Sequence, residues 1–345
     1  MYAMHPLRSK RIAATGVALA TLALALLVAD VLLGSEPVPL STAWRALLGA
    51  EPSHLSQIIL GYRFPKAMVA LLVGVSLSVS GLQMQTVFRN PLADPYILGV
   101  SSGAGLGVAL FVMGYSVWGT TAVGALLASM GYAVSACVGA ALIMGIMLAV
   151  SMRVRDIMAM LILGVMIGSA TSAIISALQY FSREAALKSY VLWTMGGLGN
   201  VTSTQLYVLM AITLAGSVLA LLSVKTLNAL MLGESYARSI GYNVGRSRLT
   251  VMLTATLLTG TATAFCGPIG FIGVAVPHVA RMLIREADHR YLLPITMLLG
   301  AVAMLLCDVI SSLPGYETSL PINTVTSLLG IPIVILVIVR NQKIV

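Results

Sequence analysis

The chain has 345 residues, of which 59% are hydrophobic and 9% charged, and its mean hydropathy is +0.98. So few charges cannot cover a water-soluble fold of this size, whereas lipid accepts Leu, Val, Ala and Met at the boundary, so a soluble globule is excluded. The formal charge of +9 does not point to nucleic acid, because the cations punctuate apolar runs instead of gathering into a basic domain.

A helix needs about 20 apolar residues to cross a bilayer. In chain order, runs that approach or exceed that length fall at residues 12–33, 67–87, 96–113, 121–150, 157–181, 205–224, 249–265, 271–284, 291–313 and 323–339. The expected class is therefore an all-α integral membrane protein of about ten transmembrane helices, forming one transmembrane domain over residues 1–345. The first run follows Arg8, Lys10 and Arg11; it is too long for a signal-peptide core and reads as a membrane helix. The fourth is long enough to tilt or protrude, and the eighth is short, broken by Pro277 and ended by Arg281.

Two segments fit no span. Residues 188–199, with Trp193 and the Gly196-Gly197 pair, predict a small helix lying at the membrane surface. Residues 225–248 form the longest connection on the other side. They predict two short helices, Leu227–Leu232 and Glu234–Ile240, the second closed by Gly241 as a C-cap. An even number of spans returns both ends to one side. Arg45, Arg63, Lys66, Arg183 and Lys188 then fall on the opposite side and all other Lys and Arg on the side of the ends, which predicts cytoplasmic termini.

Asn90-Pro91-Leu92 and Gly267-Pro268-Ile269 each follow a span, and each leads into an apolar-Gly-Val step, at Leu98-Gly99-Val100 and Ile272-Gly273-Val274. An odd number of spans separates them, so a duplication here would be an inverted internal repeat.

The residues argue against an enzyme. No Cys or His pair has metal-ligand spacing, no Gly-x-Ser-x-Gly elbow occurs, and no lysine follows a glycine, so there is no Walker A phosphate loop. Cys137, Cys266 and Cys307 read as small buried residues. An ion-coupled secondary transporter is the rival reading, because such proteins hold carboxylates within the bilayer. Asp308 is its clear candidate, with Asp30 nearer a helix end.

The run RFPKAMVALLVGVSLSVSGLQMQTVFRNPLADPYILGVSSGAG, from Arg63 to Gly105, resembles the signature of permeases of iron-siderophore, haem and vitamin B12 importers, the type II ABC importers (FecCD-like permeases). LNALMLGESYARSIGYNVG and GPIGFIGVAVPHVARML agree with it in the expected order. The resemblance implies a homodimer in the bacterial inner membrane, importing a metal chelate. Its partners would be two ATPase subunits, which bind the ATP and magnesium, and a periplasmic binding protein. No cofactor or metal is expected on this chain itself.

It further implies that Arg63 and Lys66 dock onto acidic residues of the binding protein. Leu232, Gly233, Glu234, Ala237, Arg238 and Gly241 would sit in a cleft on the ATPase. Asn90, Pro91, Gly267, Pro268 and Gly270 would border the translocation pathway, and the small residues Gly164, Gly168, Ser169 and Ser172 of the fifth span would line it. Pro277, His278 and Arg281 match a Pro-His-x-x-Arg element; there the lone histidine reads as a packing residue. Near the last helix the pattern departs from the family, with Ser319, Pro321 and Asn323 in place of the usual acidic residue, Pro and Gly, and with Glu317 displaced upstream.

Overall fold

The computed structural model describes residues 6–33, 38–47, 54–118, 131–151, 157–312 and 319–341. Every regular element among them is helical. The helices are α1 (Pro6–Leu32), α2 (Leu40–Leu47), α3 (His54–Ile58), α4 (Phe64–Val87), α5 (Val100–Trp118), α6 (Tyr132–Ser151), α7 (Ile157–Phe181) and α8 (Glu184–Thr194). They continue with α9 (Ser203–Leu222), α10 (Val224–Met231), α11 (Glu234–Ser239), α12 (Val244–Cys266), α13 (Ile272–Ile284), α14 (His289–Ser311) and α15 (Ile322–Asn341). A π-helical turn, Ile59–Arg63, joins α3 to α4, and a 3-10 turn, Pro95–Leu98, precedes α5.

Seven of these helical stretches are long and apolar enough to cross a membrane, and the shorter apolar helices at residues 100–114, 272–284 and 322–336 bring the set into register with the ten expected spans. The described part of the fourth is α6, from Tyr132; the start of its apolar run, at residues 121–130, lies outside the described residues. The surface helix predicted between the fifth and sixth spans is α8. The eighth span is not broken at Pro277: α13 runs through the proline to Ile284. The proline removes the hydrogen bond that Gly273 O would accept, but that carbonyl lies against the backbone of Gly81, where no side chain stands in its way.

Helix α4 is the hub. It is buried on every side, which suits a helix that is apolar all round, and α12, α13, α14 and α9 surround it. Lipid supplies no hydrophobic drive between helices, so close backbone approach has to do the work. Gly74 faces Gly300 of α14, Gly81 faces Gly273 of α13, and Gly103 and Gly107 of α5 interlock with Gly139 of α6; a Cβ at Gly273 would strike the Pro95 ring, and at any of the others it would strike backbone. Buried hydroxyls add bonds across helices, Ser76 with Thr213 at 2.9 Å and Thr259 to Ser80 at 2.7 Å.

At the rim, α1, α7 and α9 leave most of their apolar surface uncovered. Cys137 belongs to this surface as well. It is exposed on α6, contrary to the expectation of three buried cysteines, whereas Cys266 and Cys307 are buried. The sequence of α6 is apolar on all faces and gives no hint of which face turns inward.

Candidate functional site

Arg63 and Lys66 mark one end of the bundle. Both were expected as exposed cations, yet both turn inward. Arg63 Nη1 donates to Leu32 O at 3.2 Å and Val31 O at 3.4 Å, so a cation sits on the C-terminal carbonyls of α1, where the helix dipole favours it. Lys66 Nζ lies 2.8 Å from Asp308 of α14 and donates to Ser312 Oγ at 2.8 Å. The Lys66 side chain is 17% exposed and that of Asp308 2%. Asp30 of α1 is buried beside them. A cavity of about 530 Å³ opens here, lined by Asp30, Arg63, Lys66, Asp308 and the Gly196–Asn200 stretch that follows α8.

Deeper in the bundle the two Gly/Pro interruptions meet. Pro95 packs on Gly273, and the Tyr96 hydroxyl accepts from the backbone N–H of Ile269 at 3.1 Å and from Thr263 Oγ1 at 3.2 Å. Gly267, at φ +76°, is buried against the carbonyl of Trp193; any side chain there would be both strained and blocked. Pro268 is half-buried, and Gly270 N–H donates to Asn323 Oδ1 at 3.1 Å. Asn90 Oδ1 accepts from Leu92 N–H at 2.9 Å, while the carbonyl of the exposed Pro91 accepts from His278 Nε2 at 2.6 Å. Arg281 reaches Gln85 Oε1 at 2.6 Å, and Gln85 Nε2 donates to Val274 O at 3.2 Å. Tyr96 and Gln85 were not singled out in the sequence; a lone tyrosine or glutamine carries no spacing signal.

The four small residues of α7 divide between two environments. Gly164 is buried with the carbonyl of Ile97 directly against it, and Gly168 is half-buried near Ser102 Oγ. Ser169 and Ser172 are exposed on the uncovered face of α7, alongside Val165 and Met166.

The opposite end carries a knob made of α10 and α11. Gly233 connects them at φ +114° and ψ 157°, a backbone state open in practice to glycine alone. Gly241, at φ +92°, closes α11. Its N–H donates to Arg238 O at 3.0 Å and that of Tyr242 to Ala237 O at 2.9 Å, the paired bonds of a Schellman cap. Ala237 is fully buried beneath the knob. Glu234 is bonded to Arg248 of α12 and lies 3.1 Å from Arg238, so a carboxylate at the first turn of α11 anchors the knob to a membrane helix. By contrast, Leu232 is 59% exposed, Ile240 48% and Tyr236 47%. Side chains of this kind on a capped and braced knob form a surface suited to a partner.

The described residues contain ten apolar helices with a rigid, partly apolar knob at one end and a polar cavity at the other, the makeup of a multi-pass membrane protein. The FecCD transport family matches residues 22–340, and the chain belongs to that family. It is 37% identical over 313 residues to the hemin transport system permease protein HmuU of Yersinia pestis, covering 90% of this chain and 91% of the relative. It is also 37% identical over 281 residues to the vitamin B12 import system permease protein BtuC of Klebsiella pneumoniae, covering 81% and 82%. Among solved structures, a transporter described as of the metal-chelate ABC type, in an inward-facing conformation, superposes with a TM-score of 0.80 at 28% identity, covering 95% of this chain and 99% of that one. The chain is thus an ABC importer permease.

Proposed function

We propose that this chain forms, as a homodimer in the bacterial inner membrane, the conduit through which a metal chelate passes from periplasm to cytoplasm by alternating access. The cargo class is an iron-siderophore or haem, with a corrinoid as the further possibility, in keeping with the relatives that carry hemin and vitamin B12 in their names. Two separate ATPase subunits bind ATP and magnesium and press on the knob, and a binding protein delivers the chelate to the opposite end. Both termini lie in the cytoplasm on the charge distribution of the sequence.

One observation carries the reading: Leu232, Tyr236 and Ile240 are exposed on a knob that is held stiffly by Gly233, the Gly241 cap and the Glu234–Arg248 pair. A floppy loop would absorb ATPase closure, whereas a braced one passes it on. At the other end, Arg63 and Lys66 serve docking as parts of a charged rim around the cavity, with Asp308 and the carbonyls of α1 as their internal partners. The exposed Ser169 and Ser172 face the dimer axis, where small, weakly polar side chains let a bulky chelate slide. Gly164, Gly168, Asn90, Pro91, Gly267, Pro268 and Gly270 shape the helix breaks beside that path, and the meeting of the two breaks at Pro95 and Gly273 supports the inverted repeat.

The ion-coupled alternative gains no support from Asp308, which is bonded to Lys66. The test is uptake in proteoliposomes. Chelate should accumulate only when the ATPase, ATP and binding protein are all present; uptake by the permease alone under a proton or sodium gradient would overturn the reading.

A further inference from the structure

A push on the knob has to reach the membrane helices, and a polar chain, half-buried at Asn228 and Asp288 and buried at His289 and Thr86, leads from one to the other. Asn228 of α10 sits between Asp288 and His289 at the start of α14. Its Nδ2 donates to Asp288 Oδ1 at 2.7 Å, while its Oδ1 accepts from the backbone N–H of His289 at 3.0 Å and from His289 Nδ1 at 2.7 Å. A backbone N–H can only donate, so the amide oxygen must face it, and the amide nitrogen then meets the carboxylate. Nδ1 of His289 therefore carries a proton.

Asp288 is held in turn as the N-cap of α14, accepting from Arg290 N–H at 2.9 Å. On the other side of the imidazole, Nε2 lies 2.9 Å from Thr86 Oγ1, one residue before the end of α4. That hydroxyl has a single proton and two acceptors in reach, His289 Nε2 and Leu82 O at 2.8 Å. His289 is 1% exposed and Thr86 5%, so no water competes for these bonds.

We infer that Asn228, His289 and Thr86 form the link by which displacement of the knob is delivered to α14 and α4. The inference rests on the proposed coupling to an ATPase and names the residues that carry it inward. They are positioning residues: none touches cargo or nucleotide. The neighbouring Gln85 holds Arg281 of α13, so motion arriving at the end of α4 is passed to a third helix. Without the chain, the ATPase would still seat on the exposed knob, but its closure would move α10 without moving α4. Uptake would then separate from hydrolysis.

The test uses the complete transporter in proteoliposomes and reads chelate taken up per ATP hydrolysed, together with the amount of ATPase that copurifies. Asn228→Ala and Thr86→Val, the second keeping shape and losing the hydroxyl, should retain the ATPase while uptake per ATP falls about tenfold, the scale of one buried hydrogen bond. Thr86→Ser should restore the ratio. Should Asn228→Ala fail to fold, the Thr86 pair decides alone. A wild-type ratio in the assembled Thr86→Val variant overturns the inference while leaving the coupling reading intact. A wild-type permease that retains no ATPase overturns both.

Discussion

The two ends of the bundle handle their polar and apolar groups in opposite ways. At the Lys66 end, charge is compensated within the chain: Lys66 lies against Asp308, and Arg63 caps α1. At the knob, Glu234 is compensated by Arg248 and Arg238, but three large apolar side chains stay uncovered. The first arrangement holds this chain together. The second is unfinished until something covers it. The contrast separates two first effects: breaking the internal Lys66–Asp308 pair should act on stability, and substitutions on the exposed face of the knob should act on ATPase assembly.

The largest expected effect is at the buried ion pair. Lys66→Met strands the Asp308 carboxylate, whose side chain is 2% exposed, and should cost about 3–5 kcal/mol, read as a lowered Tm of the purified permease in detergent. Lys66→Met combined with Asp308→Leu should recover most of that loss, because the burial penalty disappears along with the attraction. A double variant no more stable than the single one would break the claim that Asp308 is the group left stranded. Next comes the knob. Tyr236→Ala should weaken ATPase binding by about 2 kcal/mol, seen as a loss of copurifying subunit, with the permease Tm unchanged. A fall in Tm instead would make Tyr236 part of the chain's own core.

Gly233→Ala sharpens the boundary between the two behaviours. There is space for the methyl group, the nearest neighbour being Arg89 Nη1 at 3.8 Å, so the effect should come from backbone strain alone, about 1–2 kcal/mol. It should lower ATPase retention together with local protection of residues 230–240 in hydrogen exchange, and not the global Tm. The smallest effect is expected at Arg238→Gln. Its side chain is 64% exposed and its bond to Glu234 is a surface i,i+4 pair, so stability should change by no more than about 0.5 kcal/mol.

The sequence made the spans legible because length and hydropathy are local properties. It also made the knob legible, because Gly233 and Gly241 punctuate two short helical patterns at positive φ angles that favour glycine. What it could not show is direction. Lys66 and Asp308 lie 242 positions apart, and nothing near Lys66 says that it turns inward rather than toward a partner. Helix α7 shows the same limit within one element: Gly164 is locked against Ile97 O while Ser169 is exposed, although the local composition is uniform. The Asn228–His289–Thr86 chain was missed for the same reason. Each member is an ordinary residue type, and only the fold brings three distant segments to one point. Proline misled in the other direction at Pro277, since the carbonyl it frees is accommodated by a glycine nearly two hundred residues away.

The central claim is that energy enters this permease through the knob. Placing a photo-crosslinking side chain at Tyr236, and separately at Leu232, in membranes that also contain the co-expressed ATPase tests it most directly. Covalent capture of the ATPase from both positions, and from none placed at Arg63, is the predicted result. Capture only of the permease's own helices would contradict it.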